Sequence, residues 1–271
     1  MKNFQSVWAE PKCCLGEIVP AEERMKCSFT PDADRPAFSF MFVFNAKGDL
    51  VKCHVYRSVV RSCCSMSFME ADNLALNPAS LDKGRVSAPF TREQISDDIK
   101  TLMSLNNALQ EARRKRGGDL DVYNTKSSLF LSELMVLVDH QAALLICKHF
   151  KQGAVLFGQT KAGEERVDFY YNETPTAART EHCTFCFEHF TRVTSPMRRY
   201  MDIVSQRQLV AAIVKEKLKS KRLLTAKEQA QLDRLERAYD EEHVTRFCAF
   251  ANVFLLRIVE FKALIKNRQR S

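Results

Sequence analysis

The chain has 271 residues, 45% apolar and 27% charged, enough to bury a sizeable core, which excludes a disordered tail. Lys and Arg outnumber Asp and Glu by 41 to 33, a formal charge of +8 that favours a polyanionic partner without naming one. Glycine numbers only 8, and no GxGxxG, GxxxxGKS/T or GxSxG occurs, so dinucleotide-binding, P-loop and nucleophile-elbow chemistry are excluded.

Residues 1–36 read as irregular, with Pro11, Pro20, Pro31 and Pro36 interrupting a sequence of no sustained period. From Ala37, FSFMFVF, the turn NAKGDL and VKCHVYRSVVRS predict a β-hairpin. In its first strand Phe38, Phe40, Phe42 and Phe44 alternate with period two, which favours core packing over base stacking. A short helix is predicted over Ser67 to Leu76. A longer one runs over Thr91 to Arg116, with a Thr91/Gln94 capping box and Gly117-Gly118 as its stop. The run Arg113 to Arg116 suits the negative helix end and reads as a solvated cap. Ser132 to Phe150 is predicted to be a buried helix, and GAVLFGQ with RVDFYY a strand pair. Beyond residue 190 the chain reads as helical, with one helix opening at Ser195-Pro196 and running to about Arg222. A second is capped by Thr225 and Glu228 and extends to about Ile265. The expected architecture is α+β: one partial domain over 1–271, with mixed sheet and helices in 37–190 and a basic helical part in 191–271.

The ten cysteines follow no secretory leader, and the vicinal pairs Cys13/Cys14 and Cys63/Cys64 suit free thiols, so a cytoplasmic setting is expected. The apolar stretch Leu134 to Cys147 is broken by Asp139, His140 and Gln141 and falls short of the ~18 residues of a membrane span, so no membrane partner is expected.

The sharpest local feature is VTSPMRRYMD, residues 193–202. Ser195 is a good N-cap and Pro196 fits the first helical position, which puts Arg198 and Arg199 in the first turn. Cations there oppose the helix dipole, and a bound anion reverses that sign. Free N–H groups and two guanidiniums together make a phosphate-sized trap, with Asp202 placed to orient one arginine. Residues 191–271 carry 18 Lys and Arg against 9 Asp and Glu, whereas residues 1–190 carry 23 against 24, so the whole basic excess follows this motif.

FTRVTSPMRRYMDIVSQRQLVAAI resembles the signature YTxFTSPIRRYxDLxVHRLL of the ribonuclease II/R, or RNB, family, with Thr194, Ser195, Pro196, Arg198, Arg199, Tyr200, Asp202 and Arg207 in register. The hairpin block RPAFSFMFVFNAKGDLVKCHVYRSVVRS, the helix LNNALQEARRKRGGDLD and the helix LSELMVLVDHQAALLI are similar to further family blocks in the same order. The shortened, Cys-rich character resembles the RNB segment of helicase-with-zinc-finger proteins.

The resemblance implies an exoribonuclease that hydrolyses single-stranded RNA from the 3′ end to 5′ mononucleotides with Mg2+. It makes Arg198 the catalytic arginine on the terminal phosphate, and Thr194, Ser195, Arg199 and Tyr200 the walls of the phosphate pocket. The chain departs from the family where Gln206 replaces a usual His and Asp139 a usual Asn. Glu133 matches a position on a buried helix and reads as holding a partner. The family's metal-binding aspartate cluster, IDxxxxxDxDDA, has no counterpart here except Asp32-Ala-Asp34, which read as loop and turn residues. The metal ligands are therefore left unassigned. The chain is expected to be the RNA-binding part of a larger RNB polypeptide, weak or inactive as a nuclease by itself; the alternative is a catalytically inactive RNA-binding or scaffold module. His182, Cys183, Cys186 and His189 offer zinc-type donors, but four ligands in so short a span strain to close a tetrahedron, and packed thiols are the preferred reading.

Overall fold

A computed structural model of the chain describes residues 7–10, 13–16, 18–117, 126–150, 155–159, 167–171, 187–219, 223–238, 242–244, 246 and 248–251. The predicted Cys183/Cys186 thiols lie outside the described residues. The chain forms two compact units, one of Glu22–Val138 with Thr184–Cys186, the other of Met1–Ala21, Asp139–Cys183 and Phe187–Ser271.

The leading segment is more regular than its sequence predicts. Strands β1 (Val7–Glu10) and β2 (Cys13–Gly16) pair antiparallel, and helix α1 spans Ala21–Cys27. No residue of α1 is buried, which is why apolar periodicity misses it. Its order comes from charge instead: acids at its head, bases at its tail, and Lys26 paired with Glu22 and Glu23 at 3.0 and 2.9 Å.

In the Glu22–Val138 unit the hairpin forms as predicted. Strands β3 (Asp34–Phe44) and β4 (Leu50–Arg61) pair antiparallel from Asp34 opposite Arg61 to Phe44 opposite Leu50. The Phe40, Phe42 and Phe44 rings stack along one face, with centroids 6.4 and 6.1 Å apart. Asn45 closes the turn, its Oδ1 accepting the N–H groups of Lys47 and Asp49 at 2.9 Å each. Gly48 has φ +83° and approaches α3 so closely that a Cβ on it would lie 2.2 Å from Ala108 Cβ. Both facts require glycine.

Helix α2 (Phe68–Leu76) starts at a Ser67/Glu70 capping box and α3 (Arg92–Lys115) at the predicted Thr91/Gln94 box. Gly117, at φ +84°, follows the end of α3. The reading of Arg113 to Arg116 as a solvated cap fails at its first member. Arg113 is buried and ion-paired with buried Glu133 at 2.9 Å, which gives Glu133 its expected partner.

Helix α4 (Lys126–His149) begins six residues before its predicted start at Ser132. The reason is a distant cap: both oxygens of Asp72, on α2, accept the leading N–H groups of Lys126 and Ser127, at 3.1 and 2.9 Å. By length and composition α4 is apolar enough to cross a membrane, contrary to the sequence reading. Its composition is also that of a core helix, since Phe130, Val136, Ala142, Ala143 and Ile146 are buried.

In the other unit, β5 (Val155–Gln159) and β6 (Val167–Tyr171) form the predicted antiparallel pair. Helix α5 (Tyr200–Lys219) is buried through its first turns, and α6 (Ala226–Ala238) opens on the predicted Thr225/Glu228 box. Ala211, Val214 and Leu232 join the two helices, with Phe150, Leu224 and Leu235 packed against them. Helical residues recur at 242–244 and 248–251; the rest of the stretch predicted to reach Ile265 lies outside the described residues.

Candidate functional site

The segment that leads into α5 is pinned from both sides of one peptide. Val193 donates its N–H to Asp139 Oδ1 on α4 at 2.9 Å, while its carbonyl accepts from Gln206 Nε2 on α5 at 2.7 Å. Asp139 and Gln206, two of the positions where the sequence departs from the family pattern, both close on Val193. Beside them buried Thr191 and Ser205 exchange a hydroxyl hydrogen bond at 3.0 Å.

A second knot follows immediately. Thr194 Oγ1 donates to Asp139 Oδ2 at 3.4 Å and accepts from Arg199 Nη2 at 3.3 Å. The same Arg199 nitrogen donates to Asp202 Oδ2 at 2.9 Å, and that oxygen also accepts the Ser195 N–H at 2.7 Å. Asp202 is fully buried.

The sequence places a helix start at Ser195-Pro196; regular helix begins at Tyr200 instead. Ser195 to Arg199 forms a turn in which the Ser195 carbonyl accepts from the N–H groups of Arg198 and Arg199 at 3.2 and 3.0 Å. The Ser195 N–H is captured by Asp202 in the first turn of α5, as the acid of a capping box captures the N–H of its cap residue. Pro196 and Met197 occupy the tip of this turn.

Thr194, Ser195, Arg199 and Asp202 are thus brought into one hydrogen-bonded unit, and the one arginine that Asp202 orients is Arg199. Tyr200 is buried at the head of α5. Arg198 differs from its neighbour: it is exposed, and its guanidinium has no hydrogen-bond or ion-pair partner among the described residues. One arginine is built into the turn and the next is presented by it.

Burial and then the neighbouring Arg199 lower the Arg198 pKa, without threatening its charge. Arg192, which sequence reasoning passed over, faces the same group; burial first, and then Arg199, bring it to about 10, and it stays protonated at neutral pH. A third arginine within seven residues was the signal that marked it. Asp139 is pushed up to about 7, chiefly by burial and against the Val193 N–H. Three guanidiniums therefore face two carboxylates. Within the group Arg199 Nε and Asp202 Oδ1 are buried without a hydrogen-bond partner among the described residues. Chemically the arrangement has what an oxyanion receptor needs: a turn held by hydrogen bonds and one arginine with its donors unspent among the described residues.

The described residues contain no group of three or more His, Cys, Asp or Glu that could hold a metal ion. Asp34 is paired with Arg61 at 2.7 Å, and Asp32, at φ 62°, accepts the Ser87 hydroxyl at 2.7 Å. Asp32 is the turn residue the sequence predicts, whereas Asp34, expected in a loop, opens strand β3 opposite Arg61. Cys147 and Cys248 are free thiols that burial pushes up to about 12, far from a metal-ready thiolate.

Residues 18–174 and 168–215 match the family model of the RNB domain. The chain is 23% identical over 279 residues to the Arabidopsis thaliana protein named inactive exonuclease DIS3L2, covering 73% of this chain and 26% of that one. It is 29% identical over 113 residues to ribonuclease R of Thermotoga maritima, covering 42% of this chain and 15% of the relative. The fold is similar to that of Mycoplasma genitalium RNase R in complex with ribose methylated single-stranded RNA, with TM-score 0.74, 14% identity, and 98% of this chain against 48% of that one. It is also similar to yeast Ssd1, a pseudonuclease, with TM-score 0.63, 13% identity, and 94% of this chain against 36% of that one. The chain thus spans about a quarter of its DIS3L2 relatives and about half of the RNase R chain.

Proposed function

The chain belongs to the RNB domain family, and from this we propose that it is the RNA-binding part of an RNB-type 3′–5′ exoribonuclease, gripping a backbone phosphate of single-stranded RNA through Arg198. The observation that carries the reading is the unpartnered Arg198 guanidinium on a turn locked by Arg199 and Asp202. Thr194 and Ser195 hold that turn in place, and Arg199 and Arg192 supply the surrounding positive potential. The RNA-bound state of the M. genitalium relative supports RNA as the polyanion. In the family reaction Arg198 stabilises charge developing on the phosphate under attack.

The Mg2+ that the family implies supplies an activated water and charge neutralisation in the complete reaction. The described residues do not fit it: Asp32 and Asp34 are engaged at the hairpin, and no third donor joins them. No hydrolytic step is assigned to this chain. Binding with little or no cleavage is its expected behaviour, in keeping with the inactive exonuclease and the pseudonuclease among its relatives.

The test uses a dye-labelled oligouridylate in fluorescence anisotropy, with a parallel gel assay in Mg2+. Binding at low salt that falls on Arg198→Ala is expected, with the slope of log K against log salt reduced by about 0.7, the value for one single-strand phosphate contact. No binding, or binding indifferent to Arg198→Ala, overturns the reading. A 3′-end ladder that Arg198→Ala abolishes overturns the expectation of silence.

A further inference from the structure

The knot around Val193 and Thr194 contains a group that the RNA-binding reading leaves without a task. Asp139 is a carboxylic acid on an apolar helix, 5% exposed, where Leu137, Val138 and Ala142 surround it in sequence. It spends one oxygen on the Val193 N–H and the other on the Thr194 hydroxyl. Thr194 Oγ1 also accepts from Arg199, so its single proton must point to Asp139, an arrangement that calls for the ionised carboxylate. A proton on Oδ2 makes that atom a donor and weakens or reverses the Thr194 bond, while the Val193 bond to Oδ1 persists. The change is then felt at Thr194 and, through it, at Arg199 and the turn that presents Arg198.

The charges that face Asp139 come from each element beside it: Asp202 of α5, Arg199 of the turn and Arg192 of the segment before it. Arg192, Arg198 and Arg199 face Asp139 and Asp202, and protonating Asp139 makes the charge of this group more positive by one. On the same helix His140, the next residue, uses Nδ1 on the His189 carbonyl at 2.8 Å and stacks on Phe187.

We propose that Asp139 is a positioning residue of the phosphate site: it fixes the Val193–Thr194 backbone, and by gaining or losing one proton it sets how strongly the Arg198 turn attracts RNA. This rests on the RNA-binding reading. Anion affinity and proton uptake are linked, so an RNA phosphate bound at Arg198 favours protonated Asp139, and acid favours bound RNA. The carboxyl titrates close to neutrality, so the window is physiological.

The test compares wild type, Asp139→Asn and Arg198→Ala on an oligouridylate without terminal phosphate, carrying a dye that does not titrate between pH 5.5 and about 8.5. Its phosphodiesters hold a constant charge over that range. Wild-type affinity is expected to fall on the order of tenfold from acid to alkaline pH. Asp139→Asn, which keeps an acceptor for Val193 but holds no charge, is expected to bind at alkaline pH as wild type does at acid pH. The histidines are common to both proteins, so only the difference in slope counts. If Arg198→Ala weakens binding while Asp139→Asn retains the wild-type slope, this inference fails and the RNA-binding reading stands. If Arg198→Ala changes nothing, the RNA-binding reading fails. Should Asp139→Asn not fold, as judged by circular dichroism, wild-type calorimetry in two buffers of different ionisation enthalpy decides: net proton uptake on RNA binding near pH 7 is expected, and none overturns the inference.

Discussion

Two adjacent arginines in the same turn should fail in opposite ways when removed. Arg199 is mostly buried and donates to Asp202, whose side chain has no exposure at all. Arg199→Ala strips that carboxylate of its ion pair and leaves it the Ser195 N–H alone. Removing one partner of such a pair costs about 3 kcal/mol or more, because the surviving charge stays buried. Arg198 has no ion pair to lose, so Arg198→Ala is expected to change stability by no more than about 0.5 kcal/mol. Its effect falls on RNA: one charge-assisted bond to phosphate is worth ~1.5–3 kcal/mol, or about 10- to 150-fold in affinity. Urea denaturation with both midpoint and slope measured gives the stabilities, and anisotropy gives the affinities. An Arg199→Ala protein as stable as wild type, or an Arg198→Ala protein that loses more stability than it loses binding free energy, would refute the division of labour.

Three further outcomes are expected. In the buried Arg113–Glu133 pair, Glu133→Ala and Arg113→Ala should each cost ~3–5 kcal/mol, while Arg113→Met with Glu133→Leu should recover most of it; a denaturation cycle in which the double variant is the sum of the singles contradicts the pairing. Gly48→Ala should lose about 2–4 kcal/mol, from the left-handed backbone and from the contact with Ala108, and a thermal melt unchanged from wild type would deny the close approach. Asp139, raised in the folded chain to about 7 from its unfolded 3.8, contributes stability that is present at acid pH and lost as pH rises through 7. Asp139→Asn should therefore flatten the decline in urea midpoint between pH 5 and about 8, and an unaltered decline counts against the burial of that charge.

What was legible in the sequence is what local chemistry determines. The hairpin declares itself by period-two phenylalanines and the Asn45–Gly48 turn, and the starts of α3 and α6 by hydroxyl–amide and hydroxyl–acid boxes three residues apart. What was hidden depends on partners far along the chain. The head of α4 is capped by Asp72 from 54 residues away, and Arg113 resembles its solvated neighbours until Glu133 is placed against it. At the site the motif pointed to Arg198, Arg199 and Asp202 together. It did not say which arginine was structural, since that rests on which guanidinium turns inward to the acid.

The same distinction explains how the fold can keep a phosphate grip apart from a cleavage centre. The grip is nearly local: Val193 to Gln206 supply the turn, the arginines, Asp202 and one of the two clamps on Val193, and α4 adds only Asp139. A metal centre demands several carboxylates converging from separate elements, each charge destabilising the others until the ion arrives. Four of the described acids are instead spent on arginines and on a helix end: Asp34 on Arg61, Glu133 on Arg113, Asp202 on Arg199, and Asp72 on the head of α4. Each of these contacts stabilises the fold without any ligand. On the proposed reading, RNA affinity is then set by what the turn leaves unpaired among the described residues, which is Arg198.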